Sequence, residues 1–321
     1  MRLVAIARGS HLSLVLKLGL SSGLVAFVCR DIDVGALIGC LMRQSPGWVG
    51  ATTLLGLLQI GLLGLRWQQI LRALGAKSGV ASALAVTFMG CFFGAFLFGP
   101  TGGDVARAAL APPRSLGRRG IVHSVLFERL ASTIGLGLAA LPVAALSAAT
   151  IVYGAPLLIA AAMVPLPFAA LAAIAVLARL LHARTGRVFD ALRELDAARR
   201  RLVRLWPRFA LAVVIATIGQ LLVAVEVWCL GRSQQLGVPL IDFAILMPAV
   251  MLLVALPISA GGWGLREGAM VAALALVGVG RAPALLLSVE LGLIGTVVSL
   301  PGGVIWLRRC FTRGTPTKSV A

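Results

Sequence analysis

The sequence predicts an all-α polytopic membrane protein, a single integral membrane domain over residues 1–321, with about six full spans and two re-entrant helical hairpins arranged as an inverted repeat. Three observations point there. Hydrophobic residues fill 60% of the chain and charged residues 12%, where soluble domains carry about 25% charged residues, and mean hydropathy is +1.00. Leu130 to Ala178 runs without a single Asp, Glu, Lys, Arg or His, room for two spans of about 20 residues each. Two glycine-rich breaks, one in each half, carry related residues. This composition excludes a soluble α/β enzyme.

The apolar segments in order are 12–29, 48–65, 80–99, 121–149, 151–178, 209–230, 240–257, 269–280 and 282–307. Basic residues before the first segment (Arg2, Arg8) resemble a signal peptide, but Lys17 interrupts the run, so it reads as an uncleaved span. Residues 1–17, 66–79 and 101–120 are rich in Lys and Arg and read as cytoplasmic; residues 30–47 balance their charges, and the turn at Tyr153–Pro156 has none, so both read as exterior. Segment 80–99 is flanked by two cytoplasmic stretches. It therefore enters and returns, giving a first re-entrant half over 66–149, with Gly90, Gly94, Gly99 and Pro100 suiting a broken helix.

Residues 179–208 hold nine arginines against Asp190, Glu194 and Asp196, with Leu192, Leu195, Leu202 and Leu205 at roughly helical spacing. Two readings stand for this cytoplasmic segment: an amphipathic helix on anionic inner-leaflet lipid, or a solvated charged linker. Segment 269–280 is too short to cross alone. Two topologies put both termini in the cytoplasm: 240–257, 269–280 and 282–307 all cross, or 240–257 pairs with 269–280 in a second re-entrant half over 240–307, which the shortness of 269–280 favours.

Each break reduces to Pro, a short gap, then Gly-Gly-x-x-x-Arg: Pro100, Gly102, Gly103 and Arg107 in the first, Pro257, Gly261, Gly262 and Arg266 in the second. No GxGxxG follows a strand, so a dinucleotide site is unsupported. Backbone N–H groups at a helix start, with an arginine one turn on, suit an anion such as lipid phosphate; the competing reading is close packing through small residues. Asp104 can cap the first of these helices. Glu128 and Arg129 are read either as an interfacial ion pair at the start of a span or as part of a charge network with Arg107 and Arg266 around a head group. Glu267 follows Arg266 and joins that candidate set. Glu226 and Glu290 lie within apolar runs, and Glu226 is expected to pair with Arg232 at the interface.

The stretches PTGGDVARA (100–108), FERLAS (127–132), LPISAGGWGLREGA (256–269) and SLPGG (299–303), with Arg66-Trp67, resemble the flippase-like membrane family related to the transmembrane region of lysylphosphatidylglycerol synthase, the multiple peptide resistance factor. The resemblance covers roughly 54–307. It implies the lipid-translocating half, with no counterpart of the soluble aminoacyl-transfer domain, and gives Glu290 no inherited role.

The expected function is a lipid flippase or transporter that moves an anionic or lipid-linked head group across the inner membrane, with membrane lipid as substrate. The alternative is a non-transporting accessory subunit that binds lipid or a biosynthetic enzyme. The net charge of +18 suits cytoplasmic loops rather than nucleic acid. Five scattered cysteines and three distant histidines indicate no metal site, disulfide framework or cofactor. No catalytic constellation is apparent, so an enzyme is not expected. Gly- and Ala-rich spans allow a homodimer without demanding one.

Overall fold

The computed structural model describes residues 44–112, 116–146, 165–181, 186–255 and 264–313, together with Gly35, Ile38, Gly39 and Met42. The described residues are helical with short connections and contain no strand. In chain order the helices are α1 (Pro46–Ala73), α2 (Val80–Phe93), a π-helical turn (Gly94–Phe98), α3 (Gly99–Leu110), α4 (Gly117–Leu146), α5 (Pro165–Leu180), α6 (Arg187–Arg204), α7 (Trp206–Ser233), α8 (Leu240–Ala255), α9 (Leu265–Ala275) and α10 (Arg281–Arg313). Four are long and apolar enough to cross a membrane: α1, α4, α7 and α10. These match four of the six expected spans. The segment 12–29 and residues 151–164 of the segment 151–178 lie outside the described residues, as do the turn at Tyr153, the break at Pro257–Gly262 and the tail after Arg313.

The central pair is α1 and α7. Each is opened by a proline in its first turn, where a missing N–H costs nothing. Each closes with the same two hydrogen bonds: Gly75 N–H to Arg72 O and Ala76 N–H to Leu71 O in α1, Gln235 N–H to Arg232 O and Leu236 N–H to Gly231 O in α7. That closure needs a left-handed residue, supplied by Gly75 (φ 94°) and Gln235 (φ 62°). The two helices run antiparallel. Ser45 N–H at the start of α1 donates to Ser233 Oγ at the end of α7 at 3.0 Å, and the Trp48 and Trp228 rings meet edge to face at 5.6 Å. At the opposite end, Ile70, Ala73 and Leu74 of α1 pack with Ala212 of α7.

Each half of the chain then folds back on itself. Ala83 and Val86 of α2 share a core with Ala111 after α3, with Trp67 and Leu71 of α1, and with Ile121 of α4. The chain thus leaves and regains the same end of the bundle between residues 80 and 111. In the second half, Leu230 of α7, Phe243 and Met247 of α8, Leu274 of α9 and Ala284 and Leu287 of α10 form one cluster. Because α1 and α7 are antiparallel, the two fold-back pairs start from opposite ends. Helix α2 is 14 residues, about 21 Å at 1.5 Å per residue, and the π-helical turn leads from it into α3.

Two sequence expectations need correction. Residues 66–79 are not a loop, since α1 continues to Ala73 because Trp67, Ile70 and Leu71 keep its inner face buried. Residues 101–120 are not a loop either, since α3 runs to Leu110 and α4 starts at Gly117. Segment 179–208 does form an amphipathic helix, α6, but its apolar face is docked on protein: Ala198 and Leu202 pack against the ends of α1, α4 and α7.

Candidate functional site

The tip of the first fold-back pair is built by close approach. A Cβ added to Gly103 would stand 2.8 Å from the Gly90 carbonyl oxygen, and one added to Gly90 would overlap the Arg107 side chain. Bare backbone at both positions therefore lets α3 lie on α2 and lets Arg107 cross over α2. The close approach fits the packing reading of Gly103, which also lines the cavity described next. Gly102 lies in the first turn of α3 and does not line the cavity described next.

Arg107 opens onto a cavity of about 370 Å³ between α1, α2, α3, α4, α9 and α10. Four arginines line it, Arg66, Arg107, Arg129 and Arg266, with two carboxylates, Asp104 and Glu128. The remaining wall is small or apolar, including Gly90, Gly94, Gly292, Gly295 and Leu291. Glu128 stands eleven residues into α4 and Gly292 eleven into α10, each about 17 Å along its helix.

Charges buried inside the bundle need partners, since removing one member of a buried pair costs about 3–5 kcal/mol. Here five alternate in sign across three helices. Arg66 of α1 pairs with Glu128 of α4. Glu128 Oε2 accepts from Arg107 Nη2 at 3.1 Å. Arg107 also pairs with Asp104, and Asp104 Oδ2 accepts from Arg129 Nε at 2.6 Å. The Arg107 guanidinium sits 5.8 Å from the centroid of Trp67, whose indole N–H donates to Ser124 Oγ at 3.1 Å. Arg107 is 5% exposed, and its Nη1 has no hydrogen-bond partner among the described residues. One donor group of a buried cation thus remains for an acceptor.

From the other half, Arg266 reaches the same cavity at the start of α9. Its Nη2 donates to Glu267 Oε1 at 2.8 Å and its Nε to Ser288 Oγ at 3.2 Å. Glu267 stands behind it: Oε2 accepts the Gly264 N–H at 2.5 Å, capping α9, and Oε1 accepts the Ser288 hydroxyl at 3.2 Å. Gly264 can hold that cap because it adopts φ 83°. A Cβ on Gly292 would overlap the Arg266 guanidinium, so the α10 glycine makes the slot in which that group lies.

Of the residues singled out in the sequence, the structure brings Gly103, Arg107, Glu128, Arg129 and Arg266 to one cavity and places Glu267 as the residue that positions Arg266. Gly261 and Gly262 lie outside the described residues. Glu128 is not an interfacial residue: it is 1% exposed, and its partners are Arg66 and Arg107, not its neighbour Arg129. Asp104 serves as an ion-pair partner of Arg107 and Arg129. The expected Glu226–Arg232 pair is absent from the described ion pairs, because six helical residues turn the two to different faces, Glu226 inward and Arg232 outward. Glu290 instead accepts from Gln234 Nε2 at 3.1 Å. Among the described residues no group of His, Cys, Asp and Glu is arranged to hold a metal ion.

Arg66 and Gly292 were not singled out as site residues. Arg66 had two signals, its part in the Arg66-Trp67 pair that carries the family resemblance and its place immediately before Trp67-Gln68-x-Ile70-Leu71, whose spacing continues the helix. Gly292 had none, since its role depends on a guanidinium from another helix.

The family model described as the lysylphosphatidylglycerol synthase TM region matches residues 14–303 of the chain. No curated protein matches it.

Proposed function

The chain belongs to the lysylphosphatidylglycerol synthase transmembrane-region family, and from that premise we propose that it carries a lipid with an anionic or lipid-linked head group across the inner membrane. The observation that carries this reading is the arginine-lined cavity where the returning arms of two oppositely directed helix pairs meet. In this reading the pairs are re-entrant, as their lengths favour, and the π-helical turn of the first, through Gly94 and Ala95, faces a polar cavity rather than lipid. The head group passes between Arg107 and Arg266 while its acyl chains stay in the bilayer. The cavity carboxylates are each held by arginine, which suits binding a charge rather than acid–base catalysis.

Orientation follows from charge. One end of the bundle carries Arg72, Lys77, Arg118, Arg119, the α6 arginines, Arg308 and Arg309; the other carries Arg232 and Arg281 with Asp242. The first end is assigned to the cytoplasm, where the exposed arginines of α6 also meet anionic inner-leaflet lipid.

Reconstitution tests this. Proteoliposomes with a fluorescent phospholipid quenched from outside should show protein-dependent translocation, reduced roughly tenfold or more by Arg107→Ala and Arg266→Ala, and unchanged by the 70% exposed Arg200 as Arg200→Ala. Equal rates with and without protein would favour the accessory-subunit alternative, docking through α6.

A further inference from the structure

Two carboxylates buried in the second half lie apart from the arginine-lined cavity. Glu226 of α7 is 6% exposed and Glu290 of α10 is 9% exposed, and each keeps an oxygen, Oε1, with no hydrogen-bond partner among the described residues. By contrast Asp104, Glu128, Asp196 and Glu267 are each held by an arginine. Glu290 differs from Glu226 in its neighbour. Its Oε2 accepts from Gln234 Nε2 at 3.1 Å, and Gln234, itself 6% exposed, also keeps a buried oxygen, Oε1, with no partner among the described residues. One planar carboxyl thus meets one planar amide with a single hydrogen bond made and an acceptor left over on each side.

A buried acceptor without a donor is costly, and a buried ionised carboxylate without a cation costs more. A single proton on Glu290 Oε1 removes both penalties. It makes the carboxyl neutral and supplies the donor that Gln234 Oε1 lacks, so that the acid and the amide close on each other through two hydrogen bonds in place of one. No neighbouring cation takes that role. Helices α1, α2, α7 and α9 and the π-helical turn pack against α10. Of their charged side chains, Arg66 is held by Glu128, Arg72 by the Ser78 carbonyl and Arg266 by Glu267. Arg208 and Arg232 of α7 are exposed, and Glu226 and Glu267 carry the same sign as Glu290. The thiols of Cys91 and Cys229 are the remaining titratable groups on these elements, and the arginines of α10 stand at its two ends.

We propose that Glu290 and Gln234 form a proton-binding site, occupied in this conformation, and that lipid transport requires the proton to be bound. The O–H bond at Oε1 takes its proton from water and returns it to water when the pair opens. The link to transport, which rests on the reading above, is α10. Ser288 and Gly292 hold the Arg266 guanidinium, and Glu290 lies two residues, about 200° of helix turn, from each. One stretch of α10 therefore grips Arg266 on one face and the end of α7 on the other. Losing the proton puts an unpaired charge between α10 and α7 and loosens the helix that holds the cavity arginine.

Two measurements on the full chain test this. Infrared difference spectra of the detergent-purified protein at neutral pH should show a protonated-carboxyl C=O band that Glu290→Gln removes and Glu226→Gln leaves in place. In proteoliposomes carrying acyl-labelled phospholipid, wild-type translocation should fall by up to about tenfold per unit rise in pH once the site empties, the slope of one titrating group. Glu290→Gln, a permanent stand-in for the protonated acid, should hold the low-pH rate throughout, and Glu226→Gln should follow wild type. A spectrum in which Glu290→Gln removes no band overturns the proton site, whether or not lipid is translocated. A lost band with the wild-type pH dependence retained in Glu290→Gln overturns the link to transport. A lost band with no translocation of any lipid by wild type supports the proton site and overturns the transport reading. Should Glu290→Gln fail to fold, Gln234→Leu decides: without the amide the carboxyl band should shift, and an unmoved band overturns the pair.

Discussion

Replacing Glu128 by glutamine removes one charge and almost no volume from the centre of the bundle. Glu128 is 1% exposed and joins two guanidinium groups, Arg66 and Arg107. Without the carboxylate, Arg107 keeps Asp104; Arg66, with a side chain 12% exposed, loses its ion-pair partner at a depth where water is scarce. Removing one member of a buried ion pair costs about 3–5 kcal/mol, and the remaining Asp104 contact puts Glu128→Gln at the lower end, about 3 kcal/mol. Unfolding of the purified protein in detergent measures this. The double variant Arg66→Gln with Glu128→Gln removes both charges and should recover most of the loss, because the penalty comes from the stranded guanidinium rather than from a missing contact. A single variant within about 1 kcal/mol of wild type, or a double variant whose loss equals the sum of the singles, would refute the ion-pair account of the site.

Gly103→Ala should cost about 1–3 kcal/mol and reduce lipid translocation, since its Cβ would stand 2.8 Å from the Gly90 carbonyl oxygen and force α3 off α2. Leu202 is 1% exposed in the cluster that docks α6, so Leu202→Ala should cost about 2–5 kcal/mol locally and speed tryptic cleavage among the α6 arginines; an unchanged cleavage rate would mean that α6 is not held by this contact. In a background lacking the native cysteines, a membrane-impermeant thiol reagent applied to intact cells should label Leu240→Cys and spare Lys77→Cys, both exposed positions at opposite ends of the bundle. The reverse pattern would invert the assigned orientation.

The long helices were legible because an apolar run of sufficient length is a local signal, and so is Gly-Gly-x-x-x-Arg, which recurs in each half although the glycines of its second copy lie outside the described residues. Arg107 and Arg266 came from that pattern. Arg66 was hidden by the same logic, because the hydropathy of α1 falls off there and a charge at the end of an apolar run looks like a loop, although Trp67 and Ile70 carry the helix onward. The sequence left Glu128 two readings, an interfacial ion pair or a charge network with Arg107 and Arg266, and its contact with Arg107 favours the second. Its partners, Arg66 and Arg107, are remote in sequence, and no single-chain periodicity reports a contact of that range. The glycines divide in the same way. Gly90 and Gly103 meet only after the chain folds back, so the packing of one on the other was one of two open readings until the fold was known.

A structure determined in nanodiscs rich in phosphatidylglycerol tests the central claim most directly. The account predicts a lipid phosphate between Arg107 and Arg266, with an oxygen about 2.7–2.9 Å from Arg107 Nη1 and acyl chains directed between helices into the bilayer. A bound lipid whose phosphate sits at the α6 arginines or at the bundle ends, with acyl chain or protein filling the space between Arg107 and Arg266, would contradict it.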